Sequence, residues 1–187
     1  MTKIAAALIL LLLAGAGVWS LFLFNRKREI SGPMENAHIV VKKSDRKLLL
    51  YDKNELVRTY GIALGFAPEG DKEKRDDGKT PEGEFYIVVK NPESKYTLGL
   101  GLSYPNLEDA GRGLKTGLIS QEQHDAILLA VSERRMPPQD TALGSEIYIH
   151  GGGTAKDWTW GCMALTDEEI MELYEAVPVG AKVVIEK

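Results

Sequence analysis

Three short β-prone runs separated by two-residue polar turns fill the stretch from His38 to Gly65, HIVVKKSDRKLLLYDKNELVRTYGIALG. The runs IVVKK, KLLLYD and LVRTYGIAL are rich in branched apolar residues, and the breaks at Ser44-Asp45 and Lys53-Asn54 are turn chemistry. Such a stretch commits the chain to a β-meander. Further runs point the same way: EFYIVVK after a long polar loop, YTLGLGLSYPN with Gly99 and Gly101 inside it, EIYIH, and a last strand AKVVIE. In the second of these, Gly99 and Gly101 mark either a wall to which another backbone comes close or a glycine-weakened core strand.

Two helices are expected between the strands. SQEQHDAILLAVSERR opens on Ser120 with Gln123 three residues on, a capping-box spacing, and Pro137-Pro138 closes it. Thr166 and Glu169 form a second box that starts DEEIMELYEAV, whose stripe is Ile170, Leu173, Tyr174 and Val177, and whose acidic first turn suits the helix dipole. The count describes a mainly-β domain with two short helices.

The N-terminus is of another kind. From Ile4 to Phe24 no residue is charged, a run long enough to cross a hydrocarbon layer about 30 Å thick. Ala14-Gly15-Ala16 resembles a cleavage site, while the apolar VWSLFLF after it favours an uncleaved anchor. Arg26, Lys27 and Arg28 on its C-terminal side would hold the domain in the cytoplasm by the positive-inside tendency, yet an N-terminal apolar segment before a folded domain is most simply read as export. The expected organisation is a signal anchor or signal peptide over 1–24, a linker over 25–36 and one domain over 37–187. Setting aside the first thirty residues leaves 19 basic against 26 acidic side chains, so the domain lacks the basic footprint that a nucleic-acid partner requires.

Chemistry gathers in EIYIHGGGTAKDWTWGCMAL, residues 146–165. It holds Cys162, the one cysteine in 187 residues, and His150 at the end of a run that alternates Ile147 and Ile149 with Tyr148 and His150. An unpaired thiol in an exported chain is either buried and inert or retained for its reactivity. An unperturbed thiol is only a few per cent thiolate at neutral pH, so a nucleophilic cysteine wants an imidazole beside it. The eleven intervening residues reach up to roughly 35 Å, and Gly151, Gly152 and Gly153 let the chain reverse at once. Gly161 permits a sharp turn that can leave backbone N–H groups facing a developing oxyanion. These are parts of an acyl-transfer site.

Rival readings of single features fare worse. Gly78-Lys79-Thr80 lacks the first glycine of a phosphate loop, and Pro81 forbids the helix that would follow; Thr80 to Gly83 reads as a tight turn with Gly83 free for a positive φ. No lysine with serine or threonine follows Gly151–Gly153, which argues against a phosphate cradle there. One cysteine and one nearby histidine supply two ligands where structural zinc takes four. His38 reads as a partly exposed strand residue and His124 as a solvated one.

The segment IHGG…TWGCMAL, with DGKTPEGEF upstream and VVIEK at the end, resembles the L,D-transpeptidase (YkuD-type) catalytic domain over about residues 37–187. That family's signature is His-Gly, a loop, Ser/Thr-x-Gly-Cys, a hydrophobic residue, Arg or Asn, and another hydrophobic residue. The resemblance implies a β-sandwich with the cysteine in a cleft, Cys162 as nucleophile, His150 as base, the Gly151 carbonyl orienting the imidazole, and an oxyanion hole from the backbone around Trp160, Gly161 and Cys162. It implies attack on the third residue of a peptidoglycan stem tetrapeptide, release of D-alanine and transfer of the acyl group to an amine, with no metal or organic cofactor. Ser103, Tyr104 and Trp160 are candidate substrate contacts. Trp160 stands where many members have histidine, and Ala164 where arginine or asparagine is common. Water as acceptor, a peptidoglycan hydrolase, and a non-catalytic wall-binding module are the alternatives. A cell-envelope, periplasmic location, with a role in cell wall biogenesis and cell shape, follows from the same reading.

Overall fold

The computed structural model describes residue 30 and residues 32–187. The apolar run over 4–24 and half of the expected linker, residues 25–29 and 31, lie outside the described residues. The part of the linker that is described is docked: Ile30 and Met34 pack against the core, and the Met34 N–H donates to the Ala176 carbonyl at 2.9 Å. Among the described residues no helix is long and apolar enough to cross a membrane.

The meander forms as expected. β1 (Ala37–Lys42), β2 (Lys47–Asp52) and β3 (Glu55–Gly61) pair antiparallel in sequence, with Ile39 opposite Leu50 and Val41 opposite Leu48, all four buried. β4 (Gly83–Asn91), β5 (Gly99–Leu102), β6 (Tyr148–His150), β7 (Met163–Ala164) and β8 (Lys182–Glu186) complete a sheet of order β3-β2-β1-β8-β4-β5-β6-β7. β8 enters between β1 and β4, parallel to the first and antiparallel to the second, so the C-terminal strand ties the meander to the rest.

Where a sandwich of two sheets was expected, the strands form one continuous sheet that curls. Strand twist accumulates along eight strands, and register shifts at Leu50/Tyr51 and Ile87/Val89 bend it further. The curl brings its two ends together. Ala63, just past β3, pairs antiparallel with Ala164 of β7, and Gly65 bridges Thr159. The buried face inside the curl is the main core, from Ile39 and Leu50 through Phe85, Ile87 and Leu100 to Ile149, Met163 and Val183.

Among the described residues there are three helices, one more than expected: α1 (Leu107–Lys115), α2 (Gln121–Ser132) and α3 (Asp167–Ala176). The extra one, α1, has a capping box between Asn106 and Asp109, but Gly111 and Gly113 inside it weaken the helical pattern in sequence. Tertiary packing supplies the difference, since Ala110 lies in a second small core with Ile119, Ile127 and Leu143. α2 begins at the expected Ser120 cap and stops at Ser132, because Arg134 turns to φ 54°, ahead of the prolines. α3 keeps its Thr166 box.

The charged loop from Pro68 to Glu82 is tied inward by two buried lysines. Lys43 Nζ donates to the carbonyls of Gly70 (2.6 Å) and Thr80 (2.8 Å) and pairs with Glu82 at 2.9 Å. Lys72, 2% exposed, pairs with Asp77 at 2.7 Å. Desolvation works against the Asp77 carboxylate, but Lys72 and the N–H groups of Lys74, Glu73 and Lys79 outweigh it and hold the carboxyl below its ordinary pKa. The turn of this loop is at 74–77, and the expected turn over Thr80–Gly83 is absent: Thr80 is fully buried, its hydroxyl accepting from the Gly65 N–H, although Gly83 does take φ 118°.

The strand with two glycines is resolved by its neighbour. A Cβ on Gly101 would stand 2.6 Å from Val89 Cγ1 and 2.9 Å from Tyr148 Cε1, so the missing side chain makes room for the Tyr148 ring lying across β5. Both contacts are below what real atoms tolerate. Gly101→Ala should therefore cost about 1–3 kcal/mol and lower the melting temperature by roughly 2–4 °C per kcal/mol; calorimetry showing an unchanged transition would contradict this packing.

Candidate active site

His150 ends β6, and Cys162 immediately precedes β7. The two strands are parallel, with Ile149 opposite Met163 and His150 opposite Ala164. Period-2 alternation puts Ile149 and Met163 into the core and turns His150 to the same face as Tyr148 and Cys162. Cys162 falls in register beside Tyr148, so its Cα and that of His150 are diagonal neighbours about 8 Å apart, a gap that the two side chains can close. Both residues line one cleft of about 590 Å³, together with Tyr96, Glu146, Tyr148, Trp158 and Trp160.

His150 is 4% exposed and held on every side. Its Nδ1 lies 2.6 Å from the Gly151 carbonyl, and since a carbonyl can only accept, Nδ1 carries the proton and Nε2 the lone pair. The ring stacks on Tyr96 at 4.5 Å and 20°, with the Trp158 indole at its edge 5.7 Å away. Burial lowers the imidazole pKa, and the positive charge of Lys95 adds to that, against the opposing pull of the Gly151 carbonyl. The group is thus a neutral, oriented base at physiological pH.

The thiol is in the opposite condition. Cys162 Sγ donates to the Glu146 carbonyl at 3.2 Å and accepts from the Tyr148 N–H at 3.4 Å. Burial pushes its pKa up to about 11, and Glu146 adds to the rise while the Tyr148 N–H and the cations Lys72 and Lys95 oppose it. A single S–H can serve one strong acceptor, so in this arrangement its proton faces Glu146. To donate to His150 Nε2 the thiol would have to give up its contact with the Glu146 carbonyl.

Each residue of Asp157-Trp158-Thr159-Trp160 has its own part in holding the loop. Asp157 takes Arg46 in a two-pronged ion pair and accepts from the Leu64 N–H at 2.8 Å. Trp158 packs on the imidazole and donates from Nε1 to the Gly153 carbonyl at 3.1 Å. The Thr159 hydroxyl accepts from the Gly161 N–H (3.1 Å) and donates to the Cys162 carbonyl (2.7 Å). Trp160 points outward, 64% exposed at the mouth of the cleft. Gly161 has φ 129°, and a Cβ there would meet the Lys79 carbonyl at 2.7 Å, so position 161 both demands the left-handed backbone and excludes a side chain.

Several expectations need adjustment. The Gly161 N–H is taken by Thr159, so of the proposed oxyanion donors the Trp160 and Cys162 N–H groups are the two with no acceptor among the described residues. Ser103 and Tyr104 do not reach the cleft. They are 2% and 1% exposed; Ser103 Oγ accepts from the Tyr86 N–H and the Tyr104 hydroxyl donates to the Leu143 carbonyl at 2.8 Å. Ala164 is fully buried, joined to Ala63 by two backbone bonds, and presents nothing to the cleft. His38 stacks on Tyr51, and His124, expected to be solvated, is half-buried and bonded to Asp125; neither lines the cleft.

The residues that sequence reasoning passed over come from the segment after β4. Tyr96 covers the imidazole, and its carbonyl accepts from the Gly151 N–H at 3.0 Å. Asp167, at the first turn of α3, fastens that segment to the histidine loop, accepting from the Thr97 hydroxyl (2.7 Å) and the Gly152 N–H (3.0 Å). The acidic turn was legible as a helix start. Its second task was not.

The family model for the L,D-transpeptidase catalytic domain (YkuD) matches residues 36–185. No curated protein sequence matches the chain. Among solved structures, the fold is similar to that of the helical cell shape determining protein Pgp2 from Campylobacter jejuni, at 23% identity and a TM-score of 0.52, covering 81% of this chain and 47% of that one. It is also similar to Bdellovibrio bacteriovorus Bd1075, at 20% identity and a TM-score of 0.52, covering 86% and 50%. The chain spans about half the length of these solved relatives. Since the family model runs from the first strand of the sheet almost to the end of the last and takes in His150, Gly151, Gly161 and Cys162, the chain belongs to the L,D-transpeptidase catalytic domain family.

Proposed function

We propose that this protein is a cysteine L,D-transpeptidase acting on peptidoglycan stem peptides through a thioacyl intermediate, with Cys162 as nucleophile and His150 as base. One observation carries the reading: the Nδ1 contact with the Gly151 carbonyl fixes the tautomer that leaves a buried, neutral Nε2 in the cleft that also holds the thiol. Membership of the family supports it. So does the described role of Pgp2 in cell shape, which would follow from remodelling of the wall.

The proposed steps balance as follows. Substrate entering the cleft displaces Sγ–H from the Glu146 carbonyl, and Nε2 takes the proton as sulfur bonds to the carbonyl carbon of the third stem residue. The Cys162 N–H faces the oxygen that gains charge. The protonated imidazole then hands its proton to the departing D-alanine amine, leaving a thioester. An amine of a second stem or of a protein attacks the thioester, His150 removes the amine's proton, and the thiol is restored. Water in place of that amine makes the same site a hydrolase.

Such a substrate lies outside the cytoplasmic membrane, and the apolar run over 4–24 is the segment that would export or tether the domain. A reporter fused after Lys187 should be active outside the cytoplasm, and activity confined to the cytoplasm would refute this location.

A thiol whose pKa stands near 11 is almost wholly protonated at pH 7. Despite the greater intrinsic nucleophilicity of a high-pKa thiolate, alkylation of the resting protein by iodoacetamide at pH 7 should be about tenfold slower than that of a free cysteine. The rate should climb through pH 9 to 11, and a stem tetrapeptide should slow it at pH 7 by filling the cleft and acylating Cys162. An inflection below pH 8 without substrate would mean a preformed thiolate–imidazolium pair instead.

With defined disaccharide-tetrapeptides and the full-length protein, mass spectrometry should detect a thioester on Cys162 and release of D-alanine. Cys162→Ala should abolish both, and His150→Ala should lower kcat by about 10²–10⁴-fold. Crosslinked dimers establish transfer, shortened products alone establish hydrolysis, and no turnover with unmodified Cys162 leaves only a binding module.

A further inference from the structure

Beside the cleft two large aromatic side chains are left in solvent: Trp160 at 64% exposure and Phe66 at 49%. They meet edge to face, ring centres 4.9 Å apart and planes at 86°. Neither is loose. The Phe66 N–H donates to the Thr159 carbonyl at 3.0 Å, and its ring lies flat on Gly78, where a Cβ would come within 2.4 Å of it. Trp160 stands between Thr159, whose hydroxyl bridges Gly161 and Cys162, and Gly161, which packs on the Lys79 carbonyl. The pair is therefore held open on the same seam of backbone that carries the nucleophile, and Trp160 forms part of the wall of the cleft.

We propose that Phe66 and Trp160 form a stacking subsite for an N-acetylated amino-sugar ring of the glycan strand, next to the peptide cleft. This rests on the peptidoglycan reading for its biological substrate, and deepens it by naming the part of that substrate which the aromatic pair takes. The C–H face of a pyranose presents partial positive charge to the negative face of an aromatic ring, and a ring already fixed in place loses little entropy on binding. The spacing suits it. From the third stem residue, held at Cys162, two residues and the linking acid lead back to the sugar, about 10 Å of extended chain. Trp160 is two residues from Cys162, within about 7 Å at the backbone, and its indole extends further out.

The rim favours a neutral sugar over a lipid surface. Around the pair, Lys79 is paired with Glu73 at 3.5 Å, and Arg75 and Asp76 of the same cleft carry opposite charge. Mixed signs offer donors and acceptors to hydroxyl and acetamido groups. An anionic membrane would call for a predominantly basic rim.

The test uses the full-length chain and two substrate arms. In the first, peptide-free chitotetraose is titrated calorimetrically into wild type, Trp160→Ala, Phe66→Ser and Trp160→Phe, each first checked for an unchanged melting temperature. Binding at least tenfold weaker in Trp160→Ala and Phe66→Ser, and largely retained in Trp160→Phe, is expected. In the second, kcat/KM is compared for a disaccharide-tetrapeptide and the same tetrapeptide without sugar; wild type should prefer the glycan-bearing form, and Trp160→Ala should reduce that ratio at least fivefold. The sugar subsite is overturned by a wild type that neither binds the oligosaccharide nor prefers the glycan-bearing substrate, or by binding to phosphatidylglycerol vesicles that Trp160→Ala removes while oligosaccharide binding is untouched. Should neither peptide be turned over, the catalytic reading falls, and the first arm alone still decides the sugar subsite.

Discussion

Two backbone hydrogen bonds of 2.9 Å, from Ala63 to Ala164 and from Ala164 to Ala63, join the end of the meander to the last strand at the far edge of the sheet. An eight-stranded sheet left open would expose both edges; here its own curl lets one edge satisfy the other. The join continues through Gly65, Phe66 and Thr159, so the residues on either side of Cys162 are ordered by strand pairing and not by loop contacts alone. Cys162 is therefore placed by the closure of the sheet. Ala164 explains itself in the same terms: it is buried inside the join, where a long charged side chain would lack both room and solvent.

The histidine depends on a second set of constraints. Tyr96 and Trp158 enclose it, while Asp167 and the Gly151 N–H fasten the Tyr96 segment to the loop beneath. An aromatic enclosure disfavours the imidazolium and so keeps the base neutral, and the same dry surroundings disfavour the thiolate. Both partners are thus at rest in their uncharged forms, with the thiol proton directed to Glu146. The proton transfer to His150 proposed above would create two charges in these surroundings, which substrate would have to help stabilise. The cations Lys72 and Lys95, each of which acts to lower the thiol pKa, are the fixed charges available for this.

Much of the fold was legible because its signals are local. Alternating apolar residues specified β1, β2, β3, β4 and β8, and the boxes at Ser120 and Thr166 marked the starts of two helices to the residue. α1 escaped because its glycines oppose it locally and burial of Ala110 favours it only in the folded chain. The turn expected at Thr80–Gly83 failed for a like reason: a proline and a glycine suggested a surface turn, whereas Lys43 and Gly65 draw Thr80 into the interior. Sandwich or single sheet could not be read from strands alone, since the difference lies in which edges pair.

By itself, the sequence determined which atoms are available for chemistry: one thiol, an imidazole at the end of an alternating strand, and glycines where backbone must turn sharply or pack closely. It also established that the chain is mainly β, because side-chain periodicity is a property of neighbours along the chain. Only the tertiary structure decided that Ser103 and Tyr104 face inward, that Gly161 gives its N–H to Thr159, that Tyr96 and Asp167 belong to the site, and that Trp160 stands in solvent against Phe66. All of these but the Gly161–Thr159 bond are contacts between segments far apart in sequence. Such contacts are fixed by closure of the sheet and by the burial that follows it, and nothing local records them.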